Sequence, residues 1–490
     1  MSTSATDNRR TRRWIEDWRP EDADFWEATG RSVARRNLLW SIFAEHVGFS
    51  VWLIWSVSSA FLLAQGFEFT PQQLFMLVAL PNLVGSLLRL PYTFAVPKFG
   101  GRNWTIVSGA MLLVPTLLFA WAVQNPQTPY WAFCLIAATA GVGGGNFASS
   151  MANINFFYPS DRKGSALGLN AAGGNLGVSL IQLLLPVMVG GAGIFGVVQA
   201  SGSGIHLERA AYVYAGLALL ATGAAWLWMD NLSTVTSSPR EQMQVVRQKQ
   251  TWLLSVLYIG TFGSFIGYSA AMPLLIKLNF WVPDPAPLGT GIYFAFYAFL
   301  GAGIGSLTRP FGGWMADRWG GARVTLASFA AMAVFTLGVL WTVNQLTPNP
   351  TADPAVATAN AGWFPLFLGF FLCIFAATGI GNGSVYKMIP ALWKAEAERS
   401  TAPGTPERVG ALMTATRQSS SALGVIGAVG AVGGFLVPLA FSAPWVADPL
   451  SATRGAFTVF AGYYGGCAVL TWALYLRRPV RAHGLAAAEI

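Results

Sequence analysis

The chain has 490 residues, 54% hydrophobic and 10% charged, with 54 glycines and 27 prolines and a mean hydropathy of +0.49. Soluble domains are about a quarter charged, so this composition excludes an ordinary soluble domain and describes a polytopic membrane protein. The formal net charge is +9, but the basic residues fall in short connections between apolar runs, which is a topology signal and argues against nucleic-acid binding.

Residues 1–36 are polar and mixed in charge, with no apolar core that could act as a cleavable signal. They are expected to form a cytoplasmic tail, partly helical near Trp14 and Trp18. Apolar runs near the roughly 20 residues needed to span a bilayer follow near 38–64, 72–96, 104–124, 129–157, 164–190 and 210–229. A polar stretch precedes a second set near 251–280, 289–316, 322–343, 362–390, 408–440 and 455–476. This predicts an all-α membrane protein of about twelve transmembrane helices in two six-helix bundles. The bundles are residues 37–230 and 251–477, joined by a cytoplasmic linker at 231–250 and followed by a tail at 478–490. Lys98 with Arg102, Arg162 with Lys163, Arg240 with Arg247, Arg318 with Arg323, and Lys394 with Arg399 occupy alternate connections; Arg209 and Arg454 are the clear exceptions on the other side. The Lys and Arg bias places both termini in the cytoplasm.

The two sets are related. Gly85-Ser86-Leu87-Leu88-Arg89 recurs as Gly305-Ser306-Leu307-Thr308-Arg309 at an offset of 220, and the pair Gly100-Gly101 recurs as Gly320-Gly321 at the same offset. Ala140-Gly141-Val142-Gly143-Gly144-Gly145 in the fourth run matches Thr378-Gly379-Ile380-Gly381-Asn382-Gly383 in the tenth. Six plus six with internal similarity points to a secondary transporter whose site lies between the halves near the midplane. A channel or receptor has no comparable reason to duplicate a buried arginine.

Arg89 and Arg309 are the candidate binding residues. A guanidinium at membrane depth costs at least a few kcal/mol, about 3 or more, and needs a compensating partner. Of the 21 acidic residues only Glu45 lies well inside a predicted span, so two arginines face at most one carboxylate. A small planar oxyanion, which accepts paired hydrogen bonds from the guanidinium fork, would complete such a site. Lys277, Lys387 and Arg417 lie near span ends and are expected to snorkel, with Lys387 the exception to watch. Asn146, Asn170 and Asn175 each need a partner, from a neighbouring helix or from a substrate. Tyr258 and Phe262 are four apart, on one helical face. Glu45-His46 could relay protons or be structural; adjacent helix residues point about 100° apart, so the two need not face each other. Cys134, Cys373 and Cys467 have no metal-like spacing, and no nucleophile–base constellation suggests an enzyme.

With these residues assembled, the chain resembles the NarK-type nitrate/nitrite porters of the major facilitator superfamily. The resemblance rests on Leu88-Arg89-Leu90-Pro91-Tyr92 with Phe99-Gly100-Gly101-Arg102, the run 145–153, the Gly-Leu-Asn…Gly-Asn-Leu-Gly run of the fifth span, the run 261–267, and Arg309-Pro310-Phe311-Gly312-Gly313-Trp314. It covers about residues 36–480; the Gly-Gly-x-x-Ala-Asp-Arg loop at 312–318 alone would indicate only the superfamily. The resemblance implies that Arg89 and Arg309 are paired nitrate-binding arginines. It also implies that Asn175, Tyr258, Phe262 and Phe147 line the pocket. Many antiporter-like members lack an ionisable pair where this chain has Glu45-His46, whereas a proton-symport-like subgroup resembles it there. The expectation is an inner-membrane carrier importing nitrate by alternating access with protons. Nitrate/nitrite exchange is the alternative, and a carrier of another small anion the remoter one. Nitrate or nitrite, protons and the lipid bilayer are the expected partners, with no cofactor, metal, nucleic acid or obligate protein partner.

Overall fold

The structure is a computed structural model that describes residues 13–190, 204–233, 244–283, 288–443 and 448–477. Half of the expected linker at 231–250, namely 234–243, and the tail at 478–490 lie outside the described residues. Twelve long helices run through the described residues: α1 (Ala23–Gln65), α2 (Pro71–Phe99), α3 (Gly101–Val123), α4 (Tyr130–Phe157), α5 (Ser160–Val189) and α6 (Leu207–Trp228) form one half. The other half holds α7 (Lys249–Phe280), α8 (Ala298–Trp319), α9 (Gly321–Asn344), α10 (Phe364–Ser400), α11 (Pro406–Ser442) and α12 (Pro449–Leu476). Eleven are long and apolar enough to cross a bilayer. The twelfth, α8, has 22 residues, enough for about 33 Å, but Arg309 and its glycines make it less apolar. Leu87, Trp131, Leu307, Val459 and Val469 are more than half exposed on the outer faces, an apolar exterior that suits lipid and not water.

The sequence repeat is a repeat of backbone geometry. Gly100 (φ 86°, ψ 142°) and Gly320 (φ 90°, ψ 134°) both end an arginine-bearing helix in the same left-handed turn, a conformation that a Cβ disfavours. The glycines of α4 and α10 then let the arginine helices close in. A Cβ on Gly141 would meet the Gly85 backbone at 2.7 Å, and one on Gly379 the Gly305 carbonyl at 2.3 Å. Small residues at such crossings give close helix packing in lipid, where no hydrophobic force drives association.

Several helices are broken near the middle. α1 is interrupted at Leu53 (φ −97°, ψ 9°), α4 between Thr139 and Gly141, and α7 by a π-helical turn at Ile259–Gly263. A single π-turn inside an α-helix often marks a functional site.

Two local expectations are corrected. Residues 13–36 are not a loose tail with helix near Trp14 and Trp18. Trp14–Ile15 is a short strand paired in parallel with Asn231–Leu232, Trp18 packs edge-on against Phe157 at 5.4 Å, and helix begins at Ala23 behind an Asp22 cap. The Gly-Gly-x-x-Ala-Asp-Arg stretch at 312–318 is not a loop either; it forms the last turns of α8.

Candidate functional site

Arg89 and Arg309 are carried by helices of opposite halves, and both are buried. Arg89 lies 4.7 Å from the ring centroid of Phe147 and 4.7 Å from that of Phe262. Arg309 lies 5.5 Å from Phe147, 6.0 Å from Phe262 and 5.5 Å from Tyr386. Both guanidiniums therefore share two aromatic faces, and a buried cation over such a face gains about 0.5–2 kcal/mol per ring. Phe147 and Phe262 are themselves stacked at 6.0 Å, and Tyr258 stacks on Phe262 at 5.4 Å. The Tyr258–Phe262 pairing expected from their spacing is thus observed, on the π-turn of α7.

The arginines' own hydrogen bonds leave donors over. Arg89 donates from Nε to the Gly144 carbonyl (3.2 Å) and from Nη1 to the Gly427 carbonyl of α11 (3.0 Å). That second bond crosses between the halves. Its Nη2 is buried without a partner, as are Nη1 of Arg309 and both side-chain polar atoms of Asn175. Leaving one buried polar group unsatisfied costs about 1–3 kcal/mol, and more if it is charged. Other buried groups, such as Asn82 Oδ1 and Asn382 Oδ1, are also unpartnered, but the two arginine nitrogens are the cationic ones among the described residues.

Glu45 does not neutralise the arginines. It accepts hydrogen bonds from the Ser150 hydroxyl and from Asn170 Nδ2 (2.8 Å), and its Oε1 has no partner. It forms no ion pair with Arg89 or Arg309 among the described residues. His46 points to α5, its Nδ1 3.1 Å from the Gly173 carbonyl. No bond joins Glu45 to His46, in keeping with the 100° step along a helix. Asn170 therefore belongs to the carboxylate, and Asn146 Oδ1 remains without a partner.

A family model described as Major Facilitator Superfamily matches residues 46–404. The chain belongs to the major facilitator superfamily. It is 41% identical over 475 residues to the nitrate/nitrite transporter NarU of Salmonella typhimurium, covering 95% of this chain and 96% of that one. NarU of Escherichia coli is 40% identical over 97% of this chain and 99% of its own. The probable nitrate/nitrite antiporter NarK2 of Thermus thermophilus is 34% identical over 95% and 97%. Among solved structures, the D-xylose-proton symporter shares the fold, with a TM-score of 0.56 at 14% identity over 89% of this chain and 96% of that chain. The NarK-type resemblance of the motifs thus extends along the chain.

The basic residues near span ends divide. Arg417 is exposed. Lys387 is half-buried and pairs with Asp317 at 2.8 Å, so it is not part of the arginine site. Lys277 does not snorkel: it is buried, donates to the Ala60 carbonyl of α1, and lies 5.5 Å from the Trp281 ring. Its stem is held inside because α1 of the opposite half closes over it. Gln182 to the Ser269 carbonyl (2.6 Å) and Ser179 to the Phe299 carbonyl (3.0 Å) also tie the halves together. Tyr386 and Trp52, whose ring lies 5.6 Å from Arg89, were missed from the sequence. Tyr386 follows Gly379 and Gly383 at i+7 and i+3, the face that α10 turns to α8, and that period was the available signal.

Proposed function

We propose that this protein imports nitrate across the cytoplasmic membrane by alternating access, with Arg89 and Arg309 clamping the anion and protons driving it. One observation carries the reading: a guanidinium nitrogen of each arginine is buried and unpartnered, beside the same two aromatic rings and with no carboxylate bonded to either. A planar anion with three equivalent oxygens can accept from both forks. The nitrate/nitrite transporters at 40% identity or more supply the substrate class. Burial of Arg89, Phe262 and Tyr258 suits an occluded step of the cycle, with contacts such as Lys277 to Ala60 breaking when the opposite side opens. The Lys and Arg bias supports cytoplasmic termini.

Moving one anion inward against a negative interior costs about 2.3 kcal/mol per 100 mV. One co-transported proton cancels that charge, and a second makes entry voltage-driven. Glu45 is the carboxylate placed to carry a proton, since it is buried and bonded only to neutral partners. The test is nitrate uptake into proteoliposomes loaded without nitrite, under an inward proton gradient. Accumulation above equilibrium supports symport. Uptake that appears only with nitrite inside turns the same site into a nitrate/nitrite exchanger, with Glu45 structural.

A further inference from the structure

A groove of about 650 Å³ lies between the start of α1 and α5. Its outer wall is basic, with Arg31 exposed one turn before the exposed pair Arg35 and Arg36; its inner wall is apolar, with Ile42 and the exposed Leu39 and Leu169. The one carboxylate in the lining, Glu27, is engaged by Arg31 at 3.5 Å and by Arg162 at 3.7 Å. Arg36 is paired with Asp230. Arg35 has no carboxylate partner among the described residues, so the lining keeps a net positive charge.

The depth of the groove is set independently. Trp40 of α1 stacks on Trp228 at the end of α6, 4.6 Å apart, and Trp226 and Trp228 are exposed. Tryptophans facing lipid at a helix end mark the membrane–water boundary. The three arginines precede Trp40 by four to nine residues, which puts them about 6–14 Å further out, at the level of lipid phosphates. Leu39 and Ile42, one residue before and two after Trp40, sit within about 3 Å of the tryptophan level, where acyl chains begin, and Leu169 lines the same groove.

We propose that this groove binds one anionic phospholipid, its phosphate held by Arg35 and Arg31 and an acyl chain lying along Leu39 and Leu169. Charge complementarity selects the headgroup, and the amphipathic split of the walls selects a lipid over a free anion. The site is separate from the arginine clamp and does not depend on which anion is carried. It does rest against α1 and α5, the helices that hold Glu45 and Asn175.

The test is native mass spectrometry of the full-length protein with equimolar phosphatidylglycerol and phosphatidylcholine of matched chains. The wild type should retain phosphatidylglycerol preferentially. Arg31→Gln with Arg35→Gln should lower that preference by about fivefold for each charge removed, whereas Arg31→Lys with Arg35→Lys should keep most of it. Leu169→Trp, which fills the apolar wall, should weaken retention of the first phosphatidylglycerol with all three arginines intact. All variants should melt like the wild type, because the changed side chains are exposed. Equal retention of the two lipids by the wild type would overturn the proposal, as would an unchanged preference in the glutamine variant. Loss of the preference in millimolar inorganic phosphate would show a free-phosphate site and also overturn it.

Discussion

Replacing Arg89 by lysine keeps the charge and removes the fork, so it separates geometry from electrostatics. In the native site Nε and Nη1 are committed to the carbonyls of Gly144 and Gly427, at 3.2 and 3.0 Å, and only Nη2 is left for a guest. A lysine ends in a single nitrogen. Its three N–H donors radiate from that one atom, so they cannot reach the two carbonyls and a guest as the spread fork does, and the guest loses a charge-assisted hydrogen bond worth about 1.5–3 kcal/mol. At about 1.4 kcal/mol per factor of ten, the nitrate concentration for half-maximal uptake should rise about 10- to 100-fold. The assay is initial-rate uptake into proteoliposomes over a wide nitrate range, with a melting curve in detergent to establish that the variant is folded. A folded Arg89→Lys protein with native half-saturation would refute the clamp. It would mean that charge alone, and not the forked donor, holds the anion.

Three further outcomes follow from the same geometry. Glu45→Gln should abolish proton-driven nitrate accumulation yet keep nitrate counterflow within about threefold, since an amide can still bond Ser150 and Asn170 but carries no titratable proton; loss of both activities would make Glu45 a structural or substrate residue. Asn175→Leu removes two buried, unsatisfied polar atoms and should leave the melting temperature level or raised while nitrate uptake falls about tenfold or more, whereas a lowered melting temperature with normal uptake would make Asn175 a packing residue. Gly263→Ala would put a Cβ 2.6 Å from the Gly430 carbonyl and 2.7 Å from Gly433 Cα. Backbone cannot yield as a side chain can, so the α7–α11 crossing should lose about 1–3 kcal/mol, read as a lowered melting temperature in detergent. Native stability there would show that the crossing is looser than the structure has it.

Much of the fold was legible because its signals are local. Span length and hydropathy gave the helices, although α8, read as an apolar run near 289–316, is less apolar than the other eleven. Arg89 and Arg309 stood out because a charge in an apolar run is rare and expensive, and the scarcity of acidic residues argued that they await an anion. Asparagines were harder. Asn170 and Asn175 lie five apart on one helix with the same burial, yet one holds Glu45 and the other has no partner. That difference arises from which helix each side chain meets. Lys277 was misread for a related reason, since snorkelling assumes water beyond the helix end and α1 occupies that space.

The sequence by itself determined the membrane-spanning helices, their duplication into two halves and the excess of buried positive charge, all of which follow from residue type and spacing along one chain. Only the tertiary structure decided that both guanidiniums share the faces of Phe147 and Phe262, and that Glu45 turns to Ser150 and Asn170 and not to His46. Those facts depend on how glycine-lined helices from distant parts of the chain approach one another and on where they break, as α7 does at its π-turn. Such contacts are set by packing between helices, which no local pattern encodes.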